Sequence, residues 1–151
     1  MLIELLVKTV SRGGNLIMNV GPTARGFFDV RASKSLGVYA DWMRVNSRSI
    51  YGCTKAEPQF TAPEGILLTQ SMDEKRLYIH LLSYSHAHLA IQGLSAENVA
   101  YMQFLYDGSE IMARQVEHHD ATGKSQGITY EMTVPGIAFQ MMCPVIEVFL
   151  K

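Results

Sequence analysis

Cysteine is almost missing from this 151-residue sequence: Cys53 and Cys143 are the only two, far apart, with no CxxC pair and no Cys/His spacing of a zinc site. That excludes a dithiol redox motif and a zinc-stapled fold, and it predicts two free buried thiols rather than a disulfide. Charge of one sign is also lacking. Thirteen basic residues stand against fourteen acidic ones, net charge −1, and the basic residues form no dense run. Nothing here suits a phosphate backbone or an anionic membrane as partner. The N-terminus has no basic n-region and no small-residue cleavage site, and Glu4 and Lys8 interrupt its apolar stretch. Neither a signal peptide nor a membrane span is expected, which favours a cytoplasmic location. Internal repeats and low-complexity stretches are absent too.

What is present is an ordinary globular balance, 48% hydrophobic and 18% charged, enough to build a core. The pattern changes character near residue 55. Ile3, Leu6, Val7 and Val10 recur at helical spacing over residues 2–11, and Gly13-Gly14 ends that helix. The apolar run Asn15-Leu16-Ile17-Met18-Asn19-Val20 lies between glycines and suits a strand covered on both faces, as in a parallel sheet. Gly21-Pro22 closes it. Asp29 is placed to cap a second helix over 30–46, with Ala32, Leu36, Tyr39, Ala40 and Met43 on one face. From Pro58 onward, apolar alternation recurs near 66–70, 76–83, 87–92, 98–106, 110–117, 128–134 and 145–150, separated by turn-like pieces. About seven short strands predict an antiparallel β-sandwich. Residues 46–57 read as a packed joint, because Ile50, Tyr51 and Cys53 are too apolar for a free linker. The expected fold class is α+β: a helix–strand–helix remnant followed by a β-sandwich.

Two stretches are specific. Residues 9–23 read TVSRGGNLIMNVGPT and residues 41–52 read DWMRVNSRSIYG. Together they resemble the α-L-fucosidases of glycoside hydrolase family 29, whose members show "VSKGGNLLLNVGPTADG" and then "GEWL..NGEAIYGT". The resemblance runs on through the strand-rich tail to VIEVFLK at the C-terminus. Arg25 stands where many members carry Asp, and Ser47-Arg48-Ser49 replaces the commoner Gly-Glu-Ala. The resemblance implies a (β/α)₈ barrel followed by a sandwich, with this chain as the C-terminal portion. Residues 1–55 would hold the last barrel strand and helix, and 56–151 the sandwich. It implies hydrolysis of α-L-fucosyl glycosides with retention, by a carboxylate nucleophile and a second carboxylic acid. It also implies that both carboxylates and the fucose-gripping histidines lie upstream of Met1, so no catalytic residue is assigned to the chain. The fourteen acidic residues are expected to be solvated surface charges. No metal or cofactor is expected.

Asn19, Gly21 and Pro22 would leave the last barrel strand at the catalytic face, as floor of the fucose pocket, and Arg25 would reach toward the leaving-group sugar. His86 and His88 alternate, without a third ligand for a metal. His118-His119 sits before a turn-rich loop and reads as solvated loop. Trp42 is expected to wedge between the second helix and the sandwich. Three readings of the chain remain: the C-terminal part of a fucosidase acting on fucosylated glycans, a stand-alone carbohydrate-binding or assembly sandwich, and a piece that completes a barrel on another chain. The orphaned apolar strand predicts self-association or binding to a barrel portion.

Overall fold

The computed structural model describes residues 2–151. Helix α1 spans Leu2–Val10 and buries Ile3, Leu6, Val7 and Val10, the four residues at helical spacing. It ends in a Schellman cap. Gly14 N donates to Thr9 O and Gly13 N to Val10 O, with Gly13 at φ 79°, a conformation that glycine adopts without steric cost. Helix α2 spans Val30–Asn46; the Asp29 side chain accepts from Ala32 N at 2.7 Å and satisfies one orphan amide of its first turn. Its buried residues are Trp42 and Asn46, both in the C-terminal half. A 3₁₀ turn, Ser47–Ser49, carries the chain into the strands.

Eight strands follow among the described residues: β1 Cys53–Lys55, β2 Ile66–Ser71, β3 Arg76–Leu81, β4 His88–Ala90, β5 Val99–Phe104, β6 Ala113–His119, β7 Ser125–Thr133 and β8 Val145–Leu150. They form a five-stranded sheet, β1-β2-β3-β8-β5, and a three-stranded sheet, β4-β7-β6, with every pairing antiparallel. The α+β reading with a sandwich holds. Sequence periodicity marks seven of these strands; β1 lies inside the stretch read as a joint. Three residues with little alternation give no periodic signal, and pairing with β2 makes them a strand.

Strand alternation sorts side chains into two cores. Leu77, Ile79 and Leu81 of β3, with Ile146 and Val148 of β8, face the three-stranded sheet and meet Leu89 and Met132. Each such burial contributes about 1.5–3 kcal/mol. The alternate residues, Tyr78 of β3 and Val145 of β8, face the other way and pack with Ile3, Leu6, Val7, Val10, Trp42 and Ile50. The five-stranded sheet is therefore covered on both faces, by helices on one side and strands on the other. Trp42 occupies the wedge position expected of it, its Nε1 donating to Cys143 O at 2.9 Å. Two expectations fail at the joint and the surface. Tyr51 is 73% exposed, because the 3₁₀ turn directs Ile50, and not its neighbour, onto the helix-side core. Glu147, expected in solvent, is 2% exposed.

Candidate functional site

Between the two helices the chain runs through Asn15–Val20 and then a loop to Asp29. Asn15–Val20 belongs to neither sheet. Its exposure nonetheless alternates with the period of a strand: Asn15, Ile17 and Asn19 exposed, Leu16, Met18 and Val20 half-buried. Leu16 packs against the helix-side core, while Ile17 is 94% exposed. One face of a strand-like segment is thus seated on its own chain and the other is bare.

The four residues read from sequence as pocket floor and rim, Asn19, Gly21, Pro22 and Arg25, follow one another along this stretch, and all are exposed. The loop beyond them is ordered by its own backbone. Thr23 N donates to Phe27 O at 2.7 Å and Gly26 N to Thr23 O at 2.8 Å, with Gly26 at φ 81°. That turn presents Phe27, 74% exposed, and Phe28, 50% exposed. Leu2, Ile3, Lys34, Ser35, Val38, Tyr39 and Met142 line an apolar cleft of about 360 Å³ between α1 and α2.

Among the described residues, no two carboxylates are brought together at this loop by the ion pairs and hydrogen bonds of the structure. Asp29 is engaged in capping α2. Asp41 pairs with Arg44 and Glu4 with Lys8 along their helices. Asp73, Asp107 and Asp120 close turns, and in each a neighbouring hydroxyl (of Ser71, Ser109 and Thr122 respectively) lowers the carboxyl pKa. Glu147 is the buried exception. Its carboxylate accepts from Arg48 Nη2 and Gln103 Nε2, both at 2.6 Å, and from Tyr78 OH at 3.2 Å, with Arg76 Nε at 3.7 Å. It lies in the sheet, clamping the 3₁₀ corner down. Desolvation, with the Glu147 charge second, raises the Tyr78 pKa and keeps that hydroxyl a donor.

The histidines do not assemble either. His86 meets the edge of Tyr84, and His88 is exposed on β4. His118 and His119 lie at the end of β6, on a strand and not in a loop, where a bulge separates them. His118 Nε2 reaches Thr129 Oγ1 at 2.7 Å and Glu131 at 3.3 Å. Among the described residues, no group of three or more His, Cys, Asp or Glu could hold a metal ion. Both cysteines are free thiols, and burial is the leading cause that pushes Cys53 up to about 11 and Cys143 to about 12.

Comparison with known proteins relates the chain to α-L-fucosidases. A family model described as alpha-L-fucosidase matches residues 1–48. Human plasma alpha-L-fucosidase is 36% identical over 84 residues, which are 55% of this chain and 18% of that protein. The alpha-L-fucosidase isoenzyme 1 of Paenibacillus thiaminolyticus superposes with a TM-score of 0.81 and 30% identity, over 99% of this chain and 34% of that one. An alpha-L-fucosidase GH29 from Bacteroides thetaiotaomicron shares the fold, with a TM-score of 0.80 at 20% identity and 31% of its length covered. This chain is a relative of the α-L-fucosidases of glycoside hydrolase family 29 and corresponds to their C-terminal portion. It spans about a fifth of the human relative and a third of the solved ones.

Proposed function

We propose that this chain is the C-terminal part of a retaining α-L-fucosidase that hydrolyses α-L-fucosyl glycosides, its carboxylate pair being contributed by residues outside the 151. The observation that carries the reading is the segment Asn15–Val20. In a (β/α)₈ barrel, alternate residues of each strand face the surrounding helices and the packed interior. Leu16, Met18 and Val20 are the covered set here, and Asn15, Ile17 and Asn19 are bare. On this reading Ile17 fills a layer of the barrel interior and Asn19 points to its mouth. Gly21 and Pro22 then turn the chain at the catalytic face, and Arg25 lies on the rim where the leaving-group sugar would sit. We read residues 1–55 as the end of the barrel and 56–151 as the sandwich, with β1 at the boundary pairing onto β2 of the five-stranded sheet.

Retaining hydrolysis requires two carboxyl groups about 5–5.5 Å apart. The acidic residues near the loop are committed to a cap and to helix ion pairs, which supports placing the pair elsewhere. Fucosylated glycans would meet this chain through the complete enzyme, and the bare strand face would meet a barrel body or another copy. The test is direct: the purified chain should not hydrolyse a nitrophenyl α-L-fucoside, since general acid–base assistance alone is worth roughly 10²–10⁴-fold. Turnover that persists through further purification refutes the assignment of the carboxylates. Saturable binding of fucosylated oligosaccharides without turnover would favour the stand-alone binding module.

A further inference from the structure

His80 lies in β3 on the helix-facing side of the five-stranded sheet and is 0% exposed. Its Nε2 is 2.9 Å from Thr69 Oγ1, and the Thr69 hydroxyl donates to Ser49 O at 2.7 Å. A hydroxyl has one proton, so Oγ1 is the acceptor toward His80 and Nε2 carries the imidazole hydrogen. That leaves Nδ1 as a bare acceptor, the one buried side-chain nitrogen or oxygen among the described residues without a hydrogen-bond partner. Against the ring lies Trp42 of α2, centroid to centroid 6.4 Å.

The groups around this ring offer no counter-charge. Across the ladders His80 pairs with Leu67 of β2 and Val145 of β8. From the helical side come Trp42 and Ser49, and Asn46, whose amide donates to Trp42 O. The ionisable groups on this side of the sheet are Tyr39, Cys53, Tyr78, Cys143 and Glu147, with Glu4 and Lys8 of α1 and the guanidiniums of Arg48 and Arg76; Glu4 is paired with Lys8, and the Glu147 carboxylate is occupied by Arg48, Gln103 and Tyr78, with Arg76 beside it. A proton on Nδ1 would create a buried cation and a donor aimed at nothing. The sandwich core proper contains neither His80 nor Trp42.

We propose that His80 is an acid-sensitive latch between the helical layer and the five-stranded sheet, whose protonation releases Trp42 and α2 while the sandwich stays folded. The reading is independent of the fucosidase assignment. Burial holds the closed imidazole down to about 3, against an ordinary 6.5. Because the closed-state pKa is depressed, the latch is fully closed above pH 6.5 and weakens progressively as pH falls from there toward 3. From those two values the opening equilibrium rises about 25-fold between pH 7 and pH 5.

Trp42 is the only tryptophan in the sequence and reports the seam directly. Its emission is to be followed from pH 7 to pH 3 beside the far-ultraviolet circular dichroism of the sheets. The expected result is a red shift of Trp42 at a higher pH than any loss of sheet signal, with His80→Leu abolishing the early step. Should His80→Leu not fold, His80→Gln and the imidazole shifts of the native chain on titration serve instead, the latter expected to stay unprotonated until the Trp42 step. A Trp42 change that coincides with sheet loss, or that keeps its midpoint in the folded variant, overturns the proposal.

Discussion

Removing either side of the Glu147–Arg48 pair tests the most unexpected feature of the joint. Glu147 is almost fully buried, whereas the Arg48 side chain is 59% exposed. The two ends are therefore not equivalent. In Arg48→Ala the carboxylate keeps neutral bonds from Gln103 and Tyr78, but its nearest cation becomes Arg76 at 3.7 Å. A buried charge stripped of its partner costs about 3–5 kcal/mol. Arg48 is half in water and Arg76 stays close, so screening reduces the expected loss to about 1–2 kcal/mol. Glu147→Gln frees Arg48 to hydrate but presents an amide to two donors, at a cost of about 1–3 kcal/mol. Once Glu147 is neutral, Arg48 has nothing to compensate. The double variant should then be less destabilised than the sum of the singles, by at least about 1 kcal/mol. Urea unfolding followed by Trp42 emission gives all four free energies. Additivity within about 0.5 kcal/mol would refute the claim that the corner is clamped through this pair.

Ile79 is fully buried in the sandwich core, and Ile79→Ala should lower the unfolding free energy by about 2–5 kcal/mol, read as a drop in the urea midpoint. The bare face of Asn15–Val20 should make the purified chain self-associate in light scattering, and Ile17→Lys should weaken that association; a clean monomer with Leu16–Val20 amides protected from hydrogen exchange contradicts it. Together with the inactivity expected toward nitrophenyl fucoside and the acid step at His80, these outcomes separate the fold, the surface and the chemistry.

The features that sequence determined on its own are those fixed within a few residues of chain. Gly13-Gly14 can stop a helix because the cap needs only a left-handed residue and two backbone bonds. Asp29 can start one because its carboxylate reaches an amide three residues on. Seven strands were legible as alternation, and the joint aromatic Trp42 as a large apolar residue on the last turns of a helix facing a sheet. The motif around Asn15–Pro22 identified the family while the strand it suggests forms no ladder here, since a ladder needs neighbours and this chain supplies none for it. The division of eight strands into five and three, the pairing that makes β1 a strand, and the burial of Glu147 and His80 were decided by tertiary structure. Glu147 stands in Val-Ile-Glu-Val-Phe-Leu as an ordinary outward residue of an alternating strand would. It is buried because helices cover that side of the sheet, and it is tolerated because Arg48, 99 positions earlier, arrives within 2.6 Å. Alternation along a strand says which residues share a face; only packing says whether that face meets water.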